Sequence, residues 1–82
     1  MTYDDCSFCR GKVSPRIVQK DCWWGERLIA VIDNVPAGVC EQCGERYYKA
    51  DTLKNIEAIL KRREEMRNTI NLPLADFAAD IY

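Results

Sequence analysis

The sequence has no histidine. That removes the side chain most often used as a general base near neutral pH, and several hydrolase mechanisms with it. It has no apolar run approaching the roughly 18 residues of a membrane-spanning helix, so no membrane partner is expected. Its first residues, Met1-Thr2-Tyr3-Asp4-Asp5, are acidic, unlike a secretory signal. Positive charge is not in excess either. Twelve Lys and Arg against thirteen Asp and Glu give −1, and counting four thiolates with one Zn²⁺ takes this to −3. A protein that tracks phosphates normally carries a net basic surface or a concentrated basic face, so general nucleic-acid binding is disfavoured.

Eighty-two residues make one domain. A chain this short buries only roughly 60% of the surface it exposes when unfolded, so its core is marginal without a staple. The cysteines supply a candidate. Cys6-Ser7-Phe8-Cys9 and Cys40-Glu41-Gln42-Cys43 are two C-x2-C pairs, with Gly11 and Gly44 just beyond them. Four thiolates in two such pairs suit a tetrahedral Zn²⁺ with every position filled, a structural site. Glycine-containing turns of this kind can also aim amide N–H groups at the sulfurs. Metal binding in small zinc modules contributes on the order of 10–16 kcal/mol to folding. A redox dithiol would want a strand before the motif and a helix starting at it, and neither pair has that setting. Disulfides would want an export signal. Reduced thiols without one point to the cytoplasm. Iron also accepts four thiolates, and the spacing leaves zinc and iron both open. Cys22 has no second cysteine at the same spacing and reads as a small, half-buried side chain beside Trp23, not as a ligand.

Between the pairs, Lys12 to Trp24 is mixed, and Pro15 demotes it to an edge or bulged strand. Trp24-Gly25-Glu26 reads as a hairpin turn, and Leu28-Ile29-Ala30-Val31-Ile32 as a central strand covered on both faces. Asn34-Val35-Pro36-Ala37-Gly38 is expected to break that strand, and Glu45 to Tyr48 to resume the sheet. Asp51 is a plausible N-cap for a helix whose apolar face is Leu53, Ile56, Ile59 and Leu60. The run Lys61 to Arg67 is expected to be an exposed helical extension, with Glu57 to Lys61 and Arg62 to Glu65 as supporting pairs. The fold class expected is a small α+β zinc-binding domain. It has a three-stranded antiparallel sheet with two zinc knuckles, like a zinc ribbon, followed by a helix. The domain spans residues 1–68, and 69–82 form an apolar tail. Leu72, Leu74, Phe77, Ile81 and Tyr82 in that tail need burial, against the domain, a second copy or a partner. Trp23 and Trp24 are either interface anchors or, for one of them, a lid on the helix face.

With Cys6, Cys9, Trp24-Gly25-Glu26, Leu28 to Val35, Pro36-Ala37 and Cys40-Glu41-Gln42-Cys43-Gly44-Glu45 laid out, the chain resembles the YgiT-type zinc-finger domain. That is the N-terminal domain of MqsA-like antitoxins of bacterial type II toxin–antitoxin systems, and the likeness covers about residues 6 to 60. It implies a structural zinc on Cys6, Cys9, Cys40 and Cys43, and binding and neutralisation of a small ribonuclease-type toxin encoded by a neighbouring gene. Longer members of that family append a helix-turn-helix domain that binds the operator. Here only about twenty residues follow the helix, too few for that domain. The competing function is a zinc ribbon binding DNA or RNA through Arg46, Lys49, Lys61, Arg62, Arg63 and Arg67. An enzyme is not expected, since the metal has no open position and no acid pair has catalytic spacing. A homodimer is left open.

Overall fold

The computed structural model describes residues 3–81, so Tyr82 lies outside the described residues. Two long strands, β1 (Val13–Trp24) and β2 (Arg27–Cys40), form an antiparallel hairpin. A two-residue strand, β3 (Arg46–Tyr47), pairs with the foot of β2, giving the order β1-β2-β3. The helix α1 (Ala50–Lys61) follows, then a single 3-10 turn (Arg63–Glu65) and a four-residue helix, α2 (Phe77–Asp80). The architecture is a small α+β domain, a three-stranded antiparallel sheet and then a helix. Among the described residues no helix is long and apolar enough to cross a membrane.

The hairpin turns at Gly25-Glu26, where Trp24 faces Arg27 and Gly25 has φ +60°. Glycine at the first central position is what a type II′ turn requires, and its twist matches that of the strands. β1 lies at the sheet edge, where Pro15 sets no ladder donor at risk. Asn34 to Gly38 does not break β2, as the sequence suggested. It stays paired, Val35 with Val18 and Gly38 with Pro15, because the irregularity is absorbed by a bulge. Between the Val18–Val35 and Lys20–Ile32 pairs, Gln19 opposes both Asp33 and Asn34. Asn34 takes the left-handed φ of +59°, which asparagine tolerates, and the Gln19 amide donates to the Asp33 carboxylate at 2.8 Å. Ile29 is a second extra residue on β2, between the Cys22–Ala30 and Trp23–Leu28 pairs.

α1 packs on one face of this bent hairpin. Cys22, Val35 and Ile56 are buried together, with Val18, Ile29, Ala30, Ile32, Tyr48 and Leu60 around them. Several expectations change here. Cys22 is fully buried, not half-buried, because it faces the helix. Leu28 to Ile32 is covered on one face only, since twelve helical residues can shield one side of a two-stranded ribbon, and Leu28 remains exposed. Leu53 is also exposed. The contact stripe runs through Ile56, Ile59 and Leu60 instead. The N-cap is Lys49, without a side-chain cap, and Asp51 sits in the first turn, where its charge complements the helix dipole. The helix ends at Lys61, which pairs with Glu57 at 3.5 Å, so Arg62 to Glu65 spans a 3-10 turn and not a helical extension. The run from Lys61 to Arg67 is exposed throughout.

Neither tryptophan covers the helix. Trp23 is 55% and Trp24 78% exposed at the hairpin tip. The tail does not fold back into the core. Leu72, Leu74, Phe77 and Ile81 all remain exposed.

Candidate metal centre

The thirty residues between the two cysteine pairs form the hairpin, and its antiparallel register is what brings the pairs together. Val13 pairs with Cys40, and the Glu41 amide donates to the Lys12 carbonyl at 2.8 Å, closing the foot of the ribbon. Cys6 and Cys40 are buried there beside Val13, under Tyr3, Cys9 and Tyr47.

The two cysteine turns have the same hydrogen bonding. Cys6 N–H donates to Gly11 O, and Cys40 N–H to Glu45 O, five residues on in each case. Arg10 N–H returns to Cys6 O, and Gly44 N–H to Cys40 O, four residues back. The residue that closes each turn has a left-handed backbone, with φ 63° at Arg10 and 81° at Gly44. Arg10, not Gly11, is thus the counterpart of Gly44. Gly11 has another reason to be glycine. A Cβ there would lie 2.8 Å from Gln42 Cβ, 3.0 Å from Cys40 Sγ and 3.2 Å from Cys9 Sγ, so the sulfurs occupy its side-chain space.

The sulfurs of Cys6, Cys9, Cys40 and Cys43 all lie within 4.8 Å of one another. Cys6 and Cys43 are 3.6 Å apart, and Cys9 and Cys40 3.4 Å. A tetrahedral ion with metal–sulfur bonds of about 2.3 Å holds its sulfurs about 3.8 Å apart. The four cysteines could therefore hold a metal ion.

The electrostatics follow the same pattern in both turns. Amides are directed at the sulfurs, as the glycine-containing turns led us to expect. Gln42 N–H and Cys43 N–H point at Cys40 Sγ at 3.4 and 3.5 Å, and Gly11 N–H at Cys9 Sγ at 3.4 Å. The Tyr47 hydroxyl sits 3.2 Å from Cys6 Sγ, held there by the Ser7 amide, which donates to it at 3.1 Å. Tyr47, with the amides of Cys9 and Phe8, brings the Cys6 thiol down from 9.0 to about 6 against the effect of burial. Cys40 is lowered by the Cys43 and Gln42 amides. In Cys43 the Glu45 amide works in the same direction, but the thiols of Cys9, Cys6 and Cys40 and burial outweigh it and push the group up to about 12. Cys9 is raised too, the Gly11 amide being outweighed by Cys40 and burial. The first cysteine of each turn thus carries negative charge readily and the second does not. Four thiolates this close cannot all ionise without a cation among them.

The chain matches no family model, no curated protein and no solved structure. Cys22 lies in the other cluster, against Val35 and Ile56, and takes no part in the thiol group. Two contributors were missed by sequence reasoning. Tyr47 read only as a strand-favouring residue. Its signal was an aromatic with a polar tip on the strand leaving the second cysteine turn. Gly11 read only as part of a glycine-containing turn, whereas its role is to leave room. Four of the six basic residues named for a nucleic-acid surface have partners within the chain. Arg46 donates to the Gln19 carbonyl, Lys49 lies over the Tyr3 ring at 4.5 Å, Lys61 pairs with Glu57, and Arg63 donates to the Leu60 carbonyl.

Proposed function

We propose that this chain is an antitoxin-like protein-binding module, which binds and neutralises a ribonuclease-type toxin encoded by a neighbouring gene. In this reading the two cysteine turns are zinc knuckles, and one Zn²⁺ on Cys6, Cys9, Cys40 and Cys43 is structural. The observation that carries the reading is the inverted distribution of apolar side chains. Among the described residues twelve large hydrophobic side chains are exposed, while the core has seven buried residues, three of them cysteines. A chain that needs a metal to hold its core, yet leaves most of its bulk in water, is built to be covered by another protein.

The thiol set supports zinc because all four donors are soft sulfurs lying within 4.8 Å of one another, the number a closed tetrahedral site takes. A zinc held by all four thiolates would have no open position for a substrate, and the chain has no histidine to act as a base beside it. Four reduced thiols belong in a reducing compartment, in keeping with a bacterial cytoplasm. The test is co-expression with the adjacent reading frame. Relief of growth arrest and co-purification of a stoichiometric complex are expected. A neighbouring product that neither arrests growth nor binds would remove the antitoxin reading.

A further inference from the structure

Two close sulfur contacts in the thiol group run from one turn to the other. Cys9 Sγ meets Cys40 Sγ at 3.4 Å, and Cys6 Sγ meets Cys43 Sγ at 3.6 Å. Each contact also joins a buried cysteine to a more accessible one. Cys6 and Cys40 are buried, whereas Cys43 is exposed and Cys9 half-buried. The backbone bonds that close the foot of the hairpin involve no sulfur. They are the Glu41 amide on the Lys12 carbonyl and the pairing of Val13 with Cys40. A sulfur–sulfur bond inside one turn meets an obstacle. Cys40 Sγ accepts from the Cys43 amide at 3.5 Å, and Gly44 N–H closes the same turn on the Cys40 carbonyl. Joining Cys40 to Cys43 has to displace that amide, whereas joining Cys40 to Cys9 needs about 1.4 Å of side-chain approach to reach a disulfide bond of about 2.05 Å.

We propose that the thiol group is a peroxide-sensitive switch with two closed states. In the reduced state the four thiolates hold the metal. In the oxidised state Cys9–Cys40 and Cys6–Cys43 are disulfides, the metal is expelled, and the two turns stay joined. The inference rests on the zinc part of the reading above and is independent of the partner. Hydrogen peroxide is the only oxidant the chemistry needs. The accessible thiolate of a pair, Cys43 or Cys9, attacks the O–O bond, becomes a sulfenic acid and releases hydroxide. The buried thiolate of that pair, Cys6 or Cys40, then attacks the sulfenic sulfur. The S–S bond forms as the S–O bond breaks, and a second hydroxide leaves. Over both pairs, two peroxides are reduced to four hydroxides, four thiolates become two disulfides, and Zn²⁺ leaves unchanged in oxidation state. Burial shields each resolving sulfur from the oxidant, and its short reach lets the disulfide form ahead of over-oxidation. Bonds that span the whole hairpin also constrain the unfolded chain more than bonds across two residues. Cys22 takes no part, because it lies in the other core cluster under α1.

The experiment is titration of the full, zinc-loaded chain with hydrogen peroxide. A chromophoric indicator reads zinc release, and peptide mapping without reductant reads the disulfides. Cleavage after Phe8 separates Cys6 from Cys9, and cleavage after Glu41 separates Cys40 from Cys43, so each pairing is distinguishable. One zinc should leave for about two peroxides consumed, with Cys9–Cys40 and Cys6–Cys43 as the linked peptides and Cys22 still a free thiol. Dithiothreitol with added zinc should restore the metal-loaded protein. The oxidised chain should unfold cooperatively and melt above the reduced chain stripped of metal by a chelator. Zinc retained under excess peroxide would overturn the inference. So would sulfinic acids, bonds within one turn, or bonds to Cys22 or to a second chain. An oxidised chain that melts no higher than the reduced, metal-free one would overturn the second closed state. A chain that carries no zinc before titration would remove the zinc reading, and the inference with it. The readout uses no partner protein, so failure of the antitoxin reading leaves it unaffected.

Discussion

Gly11→Ala places a methyl group inside the sulfur cluster without replacing any ligand. The new carbon would lie 2.8 Å from Gln42 Cβ, 3.0 Å from Cys40 Sγ and 3.2 Å from Cys9 Sγ. Carbon contacts are comfortable at about 3.5–4.0 Å, so the nearest neighbour must retreat by about 0.7 Å or more. None of the three can retreat freely. Gln42 Cβ is carried by a turn whose amide is bonded to Cys40 Sγ, and the two sulfurs are already 3.4 Å apart. Overpacking of this kind costs about 1–3 kcal/mol. Because the displaced atoms are ligands or their supports, most of that cost falls on the metal-bound state. Metal affinity should drop by about 5- to 150-fold. Competition against a chromophoric chelator measures it, with thermal unfolding of the metal-loaded protein alongside. Gly44 provides the contrast. Its Cβ would meet nothing within 4 Å, but its φ is +81°, so alanine there is strained by about 1–2 kcal/mol through the backbone alone. Asparagine, which tolerates that backbone, should restore Gly44 and should be no better than alanine at Gly11. Metal affinity within twofold of the parent in Gly11→Ala, with unchanged melting, would refute the close approach of the two cysteine turns around this residue.

Tyr47→Phe removes the hydroxyl beside Cys6 Sγ and should lower metal affinity by about 10-fold, the usual effect of losing a ligand's hydrogen-bond partner. Equal affinity would show that Tyr47 only packs. Metal uptake should also depend steeply on pH. Cys9 and Cys43 are raised from 9.0 and hold their protons near neutrality, whereas Cys6, at about 6, has already lost its own. Binding therefore expels at least two protons, so affinity should rise about a hundredfold per unit between pH 7 and 8. A slope of one proton or less would contradict the charge distribution. Cys22→Ala should keep full metal content and cost about 1 kcal/mol in unfolding free energy, since only a small apolar group leaves the core. In the parent protein, burial raises the Cys22 thiol. The stability it contributes is thus fully present below the pKa of the unfolded thiol and is lost as pH rises through the higher folded one. Iodoacetamide should leave it unmodified until the protein unfolds, and rapid native alkylation would show that α1 does not cover it.

The elements that depend on local chemistry could be read from the chain. Gly25-Glu26 had to turn, because glycine removes the steric bar to the twist a tight hairpin needs. Pro15 had to lie at an edge, because it has no N–H to give a neighbour. The two C-x2-C pairs named the thiol group, because spacing alone lets two sulfurs reach one point. What the sequence could not supply was register. Whether Asn34 to Gly38 ends a strand or bulges within it depends on the partner strand opposite, and Val18 and Lys20 hold it in line. That register closes the hairpin foot and sets Gly11 against Cys40. It also lets β3 bring Tyr47 to Cys6, at 41 positions' remove. Burial was decided the same way. Leu53 and Trp24 are as apolar as Ile56, but one short helix can cover one face of a ribbon, so which residues reached the core was a matter of tertiary placement.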